Sequence, residues 1–283
     1  MTIEIRRHGR VGAEVLGVDL ARGLSPDEIA VTRAAFAEHG VVFFRDQEID
    51  ETQHIAFARL WGEININRFF AAHPRYPEIA LVVKEPHQRD NIGGGWHTDH
   101  SYDAEPALGS VLVARELPEN GGATAFASMY LAHDALPGRL RSQLEGKSAV
   151  HSARHVFGSQ PYAYEADRDT RRDGRVGNAA AADVLSDVVH PVVITHPLSG
   201  RRAIYVNPGF TTKIVGLSDE ASRALLDEVF EHTLNSAFAE DFHWQPGSIA
   251  LWDNRATWHY AYNDYHGQRR EMHRITIAGG PLA

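Results

Sequence analysis

Five residues, Trp96-His97-Thr98-Asp99-His100, bring together two imidazoles and a carboxylate directly after Gly93-Gly94-Gly95. In an extended segment, residues at i and i+2 project to the same side, so His97 and Asp99 can meet one metal ion. His100 points the other way and is expected to form a wall of the site or to support it from behind. The chain has 17 histidines, so only those in a constellation merit a chemical role. His259 is one, on the strand-like segment Trp252-Asp253-Asn254-Arg255-Ala256-Thr257-Trp258-His259. Two imidazoles and one carboxylate on one face of an octahedron leave three positions open, which suits non-haem Fe(II) oxygen chemistry. A zinc hydrolase uses the same ligand types, so the ligands alone do not decide the metal.

Beyond His259 come two arginines. Asp264-Tyr265-His266-Gly267 reads as a turn, so 256–262 and 269–277 are expected to pair as a hairpin and bring Arg270 beside His259. Arg270 and Arg274 share one strand face with Met272 and Thr276. A guanidinium in a largely apolar strand needs an anionic partner. Asp253 or Glu271 would make that a structural pair. A ligand carboxylate would make it an anion clamp, since the rigid fork matches a carboxylate at two points.

The elements that must position these groups read mainly as strands. Short strands at 3–5 and 13–18 precede a helix opened by Ser25-Pro26-Asp27-Glu28 and stopped by Gly40. Asp50-Glu51-Thr52-Gln53 repeats the capping signal for a helix running to Gly62, and Val41-Val42-Phe43-Phe44 between them is a buried strand. Both helices are expected on the outside of a sheet. Further strands fall at 79–83, 110–114, 124–127, 149–155, 241–244 and 248–252, with 191–195 and 203–206 as a hairpin. Helices are expected from Ser128 to Leu136, from Arg139 to Glu145, and from Ser218 onward. Residues 158–187 have no clear period and read as a lid or a disordered insertion. The pattern predicts a mainly β protein with flanking helices: a sandwich, jelly roll or barrel. A Gly-x-Gly-x-x-Gly after a strand is absent, which argues against a dinucleotide fold.

With 43% hydrophobic and 23% charged residues, the 283-residue chain can bury a sizeable core. No composition break divides it, so 1–283 is expected to be a single domain. A formal charge of −9 argues against nucleic acid or an anionic membrane as partner. Zero cysteines exclude disulfides and thiolate metal sites. Met1-Thr2-Ile3-Glu4-Ile5-Arg6 lacks a signal-peptide core, and no run of about 18 apolar residues occurs, so the expected location is cytoplasmic. Homo-oligomers are common among soluble enzymes, and one is expected here on that ground alone.

His97-Thr98-Asp99, Gly121-Gly122-Ala123-Thr124, Trp252-Asp253-Asn254-Arg255-Ala256-Thr257-x-His259 and Gln268-Arg269-Arg270-x-Met272-His273-Arg274 together resemble the TauD/TfdA family of Fe(II)- and 2-oxoglutarate-dependent dioxygenases. The resemblance runs from Gly12–Asp19 to Ile277. It implies a double-stranded β-helix, or jelly roll, with His97, Asp99 and His259 as iron ligands. It also implies that Arg270, helped by the Thr124 hydroxyl, binds the distal carboxylate of 2-oxoglutarate. Arg274 matches the position that grips the substrate anion, and Phe157 and Phe210 match aromatic residues of the substrate pocket. The implied reaction uses O2 to decarboxylate 2-oxoglutarate to succinate and CO2 while hydroxylating a small organic acid, such as a sulfonate, alkyl sulfate or aryloxy acid.

The chain departs from the family's taurine enzyme in the segment after Gly62-Glu63, where Asn67 and Phe70 replace a histidine and a tyrosine. The family's asparagine before His-x-Asp falls on Gly93, or on Asn91 with a shifted loop. Taurine is therefore expected to be a poor substrate and a larger or more apolar acid a better one. A non-catalytic metal-binding jelly roll and a zinc hydrolase are the competing readings. The intact constellation with both arginines disfavours the first; the lack of a nearby general-base glutamate disfavours the second.

Overall fold

The computed structural model describes residues 2–157 and 186–282. The 158–187 segment read as a lid or insertion therefore lies almost wholly outside the described residues. The chain begins with β1 (Glu4–Arg7), β2 (Ala13–Leu16), α1 (Pro26–His39), β3 (Val41–Phe44) and α2 (Glu51–Arg59). Next come β4 (Ile64–Asn65), β5 (Ala72–His73), β6 (Tyr76–Lys84), β7 (Gly109–Glu116) and β8 (Thr124–Ser128). Helices α3 (Met129–Asp134) and α4 (Gly138–Leu144) lead to β9 (Ser148–His151) and α5 (Arg154–Phe157). After the undescribed stretch follow β10 (Val188–Pro191), β11 (Val193–Thr195), β12 (Arg202–Ile204), β13 (Thr211–Ile214) and α6 (Asp219–Thr233). The last strands are β14 (Ala239–Phe242), β15 (Ile249–Asp253), β16 (Thr257–Ala261) and β17 (Arg270–Ile277).

The major sheet runs β1-β2-β3-β15-β7-β17-β6-β5, with β4 also on β17, and the minor sheet runs β14-β8-β16. Alternation along the strands assigns each residue to a side. Val41, Phe43, Leu112, Ala250, Trp252 and Met272 pack with Phe126 and Phe242 of the minor sheet, forming the core between the sheets. Their neighbours Val42, Phe44, Val111, Val113, Ile249 and Leu251 pack on the opposite face against Phe36 and Phe57 of the helices. Both faces are therefore buried, which is why these strands read as continuous apolar runs. Trp258 turns outward into a third cluster with Met129, Leu140 and Val229, so His259 next to it must face the inter-sheet space. This is the expected jelly roll with helices outside.

The helix ends follow the sequence closely. Ser25 caps α1 in a capping box with Glu28, Pro26 opens the helix, and Gly40 closes it at φ 72°. Asp50 and Gln53 form the corresponding box on α2, which ends at Arg59, before Gly62.

Two expectations are corrected. Residues 256–262 and 269–277 do not pair with each other. β16 pairs with β8, whereas β17 pairs with β7, β6 and β4. The Asp264–Gly267 turn thus carries the chain from one sheet to the other, and Arg270 and His259 line one cavity from different sheets. The strand expected over 149–155 stops at His151, and Arg154–Phe157 is a helical turn.

At the start of β7 the backbone spacing is tight. A Cβ on Gly109 would lie 2.1 Å from the carbonyl oxygen of Trp252, next to Gly109's register partner Asp253 on β15. Gly109→Ala is expected to destabilise the protein by about 2 kcal/mol, as overpacking typically does. Urea unfolding should show a lower midpoint at unchanged slope.

Candidate active site

His97 and His259 form an isolated antiparallel bridge, exchanging N–H···O bonds of 3.2 and 2.8 Å. The bridge fixes two ligand-type side chains on one spot, with ring centroids 4.2 Å apart. Two residues on, Asp99 presents Oδ1 3.6 Å from His97 Nε2 and Oδ2 3.7 Å from His259 Nε2. Ligand atoms of all three lie within 4.8 Å of one another. The hydroxyl of Thr98 donates to the carbonyl of Asn254, tying the His97–Asp99 loop to the turn ahead of β16. His97 Nδ1 sits 2.7 Å from the Gly95 carbonyl, which orients Nε2 toward Asp99.

Electrostatics keep this set ready for a cation. Burial, reinforced by the neighbouring His97, pushes His259 down to about 3, so its ring is neutral and able to ligate at neutral pH. Burial alone would raise the Asp99 carboxyl, but Arg274, His259 and His97 outweigh it and hold it well below the usual range. Arg274 Nη1 donates to Asp99 Oδ2 at 3.0 Å, and its guanidinium lies 4.7 Å from the Phe70 ring centroid. The carboxylates considered as structural partners are engaged elsewhere. Asp253 is held by Arg255 and His196. Glu271 is held by Arg269 and His273.

Arg270 is buried, with Nε and Nη2 lacking hydrogen-bond partners. Burial lowers its pKa against the opposing pull of Tyr265 and Asp264. Gly122 lies against it at φ 70°, and a Cβ there would come 3.3 Å from Arg270 Cδ. Thr124 accepts a hydrogen bond from Trp244 Nε1 at 2.9 Å, which leaves its own proton available to a ligand. Two imidazoles, one carboxylate, a guanidinium with Nε and Nη2 unpartnered and a hydroxyl suit a divalent metal with a dicarboxylate beside it.

All of these groups line one cavity of about 820 Å³ together with Phe70, Val82, Tyr102, Phe157 and Phe210. Neither Asn67 nor His100 lines the cavity. His100 is 1% exposed, adopts φ 59°, and bonds through Nδ1 to Asp103, so it stands behind the wall. Asn67 spends its Oδ1 on the backbone N–H groups of Phe69 and Phe70, shaping the wall without lining it. Asn91 does line the cavity and donates to the carbonyls of Ala261 and Tyr262.

The family model described as "Taurine catabolism dioxygenase TauD, TfdA family" matches residues 4–276. The chain belongs to the TauD/TfdA family. An alkylsulfatase of Acinetobacter baylyi is 32% identical over 96% of this chain and 83% of its own length. An alpha-ketoglutarate-dependent sulfate ester dioxygenase of Pseudomonas putida is also 32% identical, over 96% of this chain and 87% of its own. The crystal structure of a taurine dioxygenase from Burkholderia xenovorans superposes with a TM-score of 0.80 at 32% identity, covering 99% of this chain and 92% of that one. As a TauD/TfdA protein, this chain is a non-haem dioxygenase that uses Fe(II), 2-oxoglutarate and O2.

Sequence reading missed two supports of the TauD/TfdA site. A Cβ on Gly209 would lie 2.6 Å from His97 Cβ, so only glycine fits there. Asn207 bonds Ser101 through Nδ2 and the Phe210 N–H through Oδ1, locking that loop to the metal-site loop. The turn signal Asn207-Pro208-Gly209 was the available clue.

Asp253, below the site, gives a pH test. Burial would raise it, but Arg255 and His196 bring it down to about 2. A depressed carboxyl stabilises the fold fully above its unfolded value near 3.9 and loses that as pH falls toward 2. Asp253→Asn is expected to be less stable at pH 6 by about 2 kcal/mol. That gap from wild type should narrow between about pH 4 and 2 in chemical-denaturation curves.

Proposed function

We propose that His97, Asp99 and His259 hold the iron, that Arg270 and Thr124 bind the distal carboxylate of 2-oxoglutarate, and that Arg274 receives the anionic head of the substrate. The observation that carries this reading is the buried Arg270 guanidinium, with Nε and Nη2 unpartnered, sharing one cavity with the His97–Asp99–His259 cluster. Fe(II) with 2-oxoglutarate and O2 supplies oxidative decarboxylation and hydroxylation of a substrate C–H bond. The chain's own residues do the positioning. Arg270 offers two unpartnered nitrogens, Nε and Nη2, and Thr124 a hydroxyl, a fork that selects a carboxylate at a set distance from the metal site. Arg274, stacked on Phe70, holds the substrate head, while Tyr102, Phe157 and Phe210 exclude water around its tail. Asn67 and His100 shape this wall from behind. One dioxygenase domain spans the chain in this reading.

The substrate class follows from that wall. Phe70, Val82, Tyr102, Val156, Phe157 and Phe210 present rings and alkyl groups along much of the cavity, whose carboxylates among the described lining residues are Asp99 of the metal cluster and Asp90. An organic acid with an apolar tail fits better than taurine, and an alkyl sulfate is the leading candidate. The sulfate-ester names of two relatives support it. Hydroxylation at the carbon bearing the sulfate oxygen gives a hemiacetal-like ester that collapses to an aldehyde and free sulfate.

A panel of alkyl sulfates, sulfonates and aryloxy acids should show succinate formation well above the uncoupled background for acids with apolar tails and little above it for taurine. Strong sulfite release from low taurine would overturn the substrate reading. Under anaerobic conditions, Fe(II) plus 2-oxoglutarate should produce a weak visible charge-transfer band. His97→Ala is expected to lose both the band and decarboxylation. Arg270→Ala should raise the KM for 2-oxoglutarate by about 100-fold, the size of a lost charged hydrogen-bond pair, with a much smaller change for substrate.

A further inference from the structure

Lys84 ends β6 and is the Cα partner of Arg270 across the ladder to β17, so both side chains leave the sheet on the same face. Val82, two residues earlier on that face, lines the cavity. Lys84 is 3% exposed, and its Nζ has no hydrogen-bond partner. A lysine commonly buries its stem and lifts its ammonium into water, but here the ammonium itself is buried. It rests over the ring of Tyr265, 4.3 Å from the centroid. Tyr265 is buried too and shares a side-chain hydrogen bond with Arg270, whose Nε and Nη2 remain unpartnered. Two buried cations thus flank one phenol, and neither ammonium nor guanidinium has its donors satisfied. A cation–π contact recovers only part of the cost of burying an ammonium. Burial lowers the Lys84 pKa, opposed by Asp90. Such an arrangement is stabilised when an anion joins it.

We propose that Lys84 is a second cation of the 2-oxoglutarate site, seating Tyr265 against Arg270 and adding positive potential where the distal carboxylate binds. Lys84 is a positioning residue: it acts through Tyr265 and Arg270. The assignment rests on the role given to Arg270 above.

The test is calorimetric titration of Mn(II)-loaded protein, in which Mn(II) replaces iron without turnover. The ligands are 2-oxoglutarate and 2-oxopentanoate, which has the same chain length but lacks the distal carboxylate. In Lys84→Met the Kd for 2-oxoglutarate is expected to rise about tenfold, the size of one screened charge–charge interaction. The Kd for 2-oxopentanoate should stay unchanged. The ligand-free variant should melt at or above the wild-type temperature, because an unsatisfied buried ammonium gives way to an apolar side chain of similar length. Equal loss for both oxo acids, or a lower melting temperature with unchanged preference, would make Lys84 purely structural and overturn the proposal. If wild type itself shows no preference for 2-oxoglutarate, the Arg270 assignment fails and takes the Lys84 role with it. A preference kept intact in Lys84→Met overturns the Lys84 role alone.

Discussion

Two backbone hydrogen bonds between His97 and His259 hold the site together. They join a loop that follows β6 to a strand of the opposite sheet, and they do so at the ligand residues themselves. The Thr98–Asn254 bond and the contact of Gly209 with His97 brace the same junction from two further directions. Side-chain positions at the centre therefore depend on backbone, which moves little, more than on rotamers of long side chains. The Asp253–Arg255–His196 network sits one turn before the bridge and stiffens the approach to β16. A site pre-set in this way loses little conformational entropy when it takes up a metal.

Charge is distributed against the average. The chain as a whole carries −9, yet Lys84, Arg270 and Arg274 are buried about the cavity, where Asp99 is the carboxylate of the metal cluster. The long-range field disfavours anions, while the interior needs them. A compact anion that enters the low-dielectric interior would gain from close contact far more than the screened outer field takes away.

Local rules made much of the fold readable. The capping boxes at Ser25 and Asp50, the stop at Gly40 and the apolar run at 41–44 each encode their element within a few residues. His97, Asp99 and His259 stood out because few residue types ligate a metal and their spacing fits a strand. Partner choice was less legible. The Asp264–Gly267 turn has the chemistry of a hairpin, but β16 and β17 find better partners in different sheets, and that preference is set by residues remote in sequence. His100 leaves the strand geometry because its backbone adopts φ 59°, which turns its side chain behind the wall. Lys84 looks like an ordinary strand-end lysine until Tyr265, from a loop far along the chain, covers it.

Arg274 donates to Asp99 Oδ2 and lines the cavity, and in the role proposed for it the same guanidinium also receives the head of an acidic substrate. One guanidinium thus serves two clients. An acid that draws it away leaves the ligand carboxylate with more electron density to give the metal, and a metal that draws density from Asp99 loosens its hold on the guanidinium. Thermodynamic reciprocity then requires metal and acid to alter each other's affinity by the same factor. In that role of Arg274, the arrival of the substrate would reach the metal site through no moving part larger than an arginine side chain.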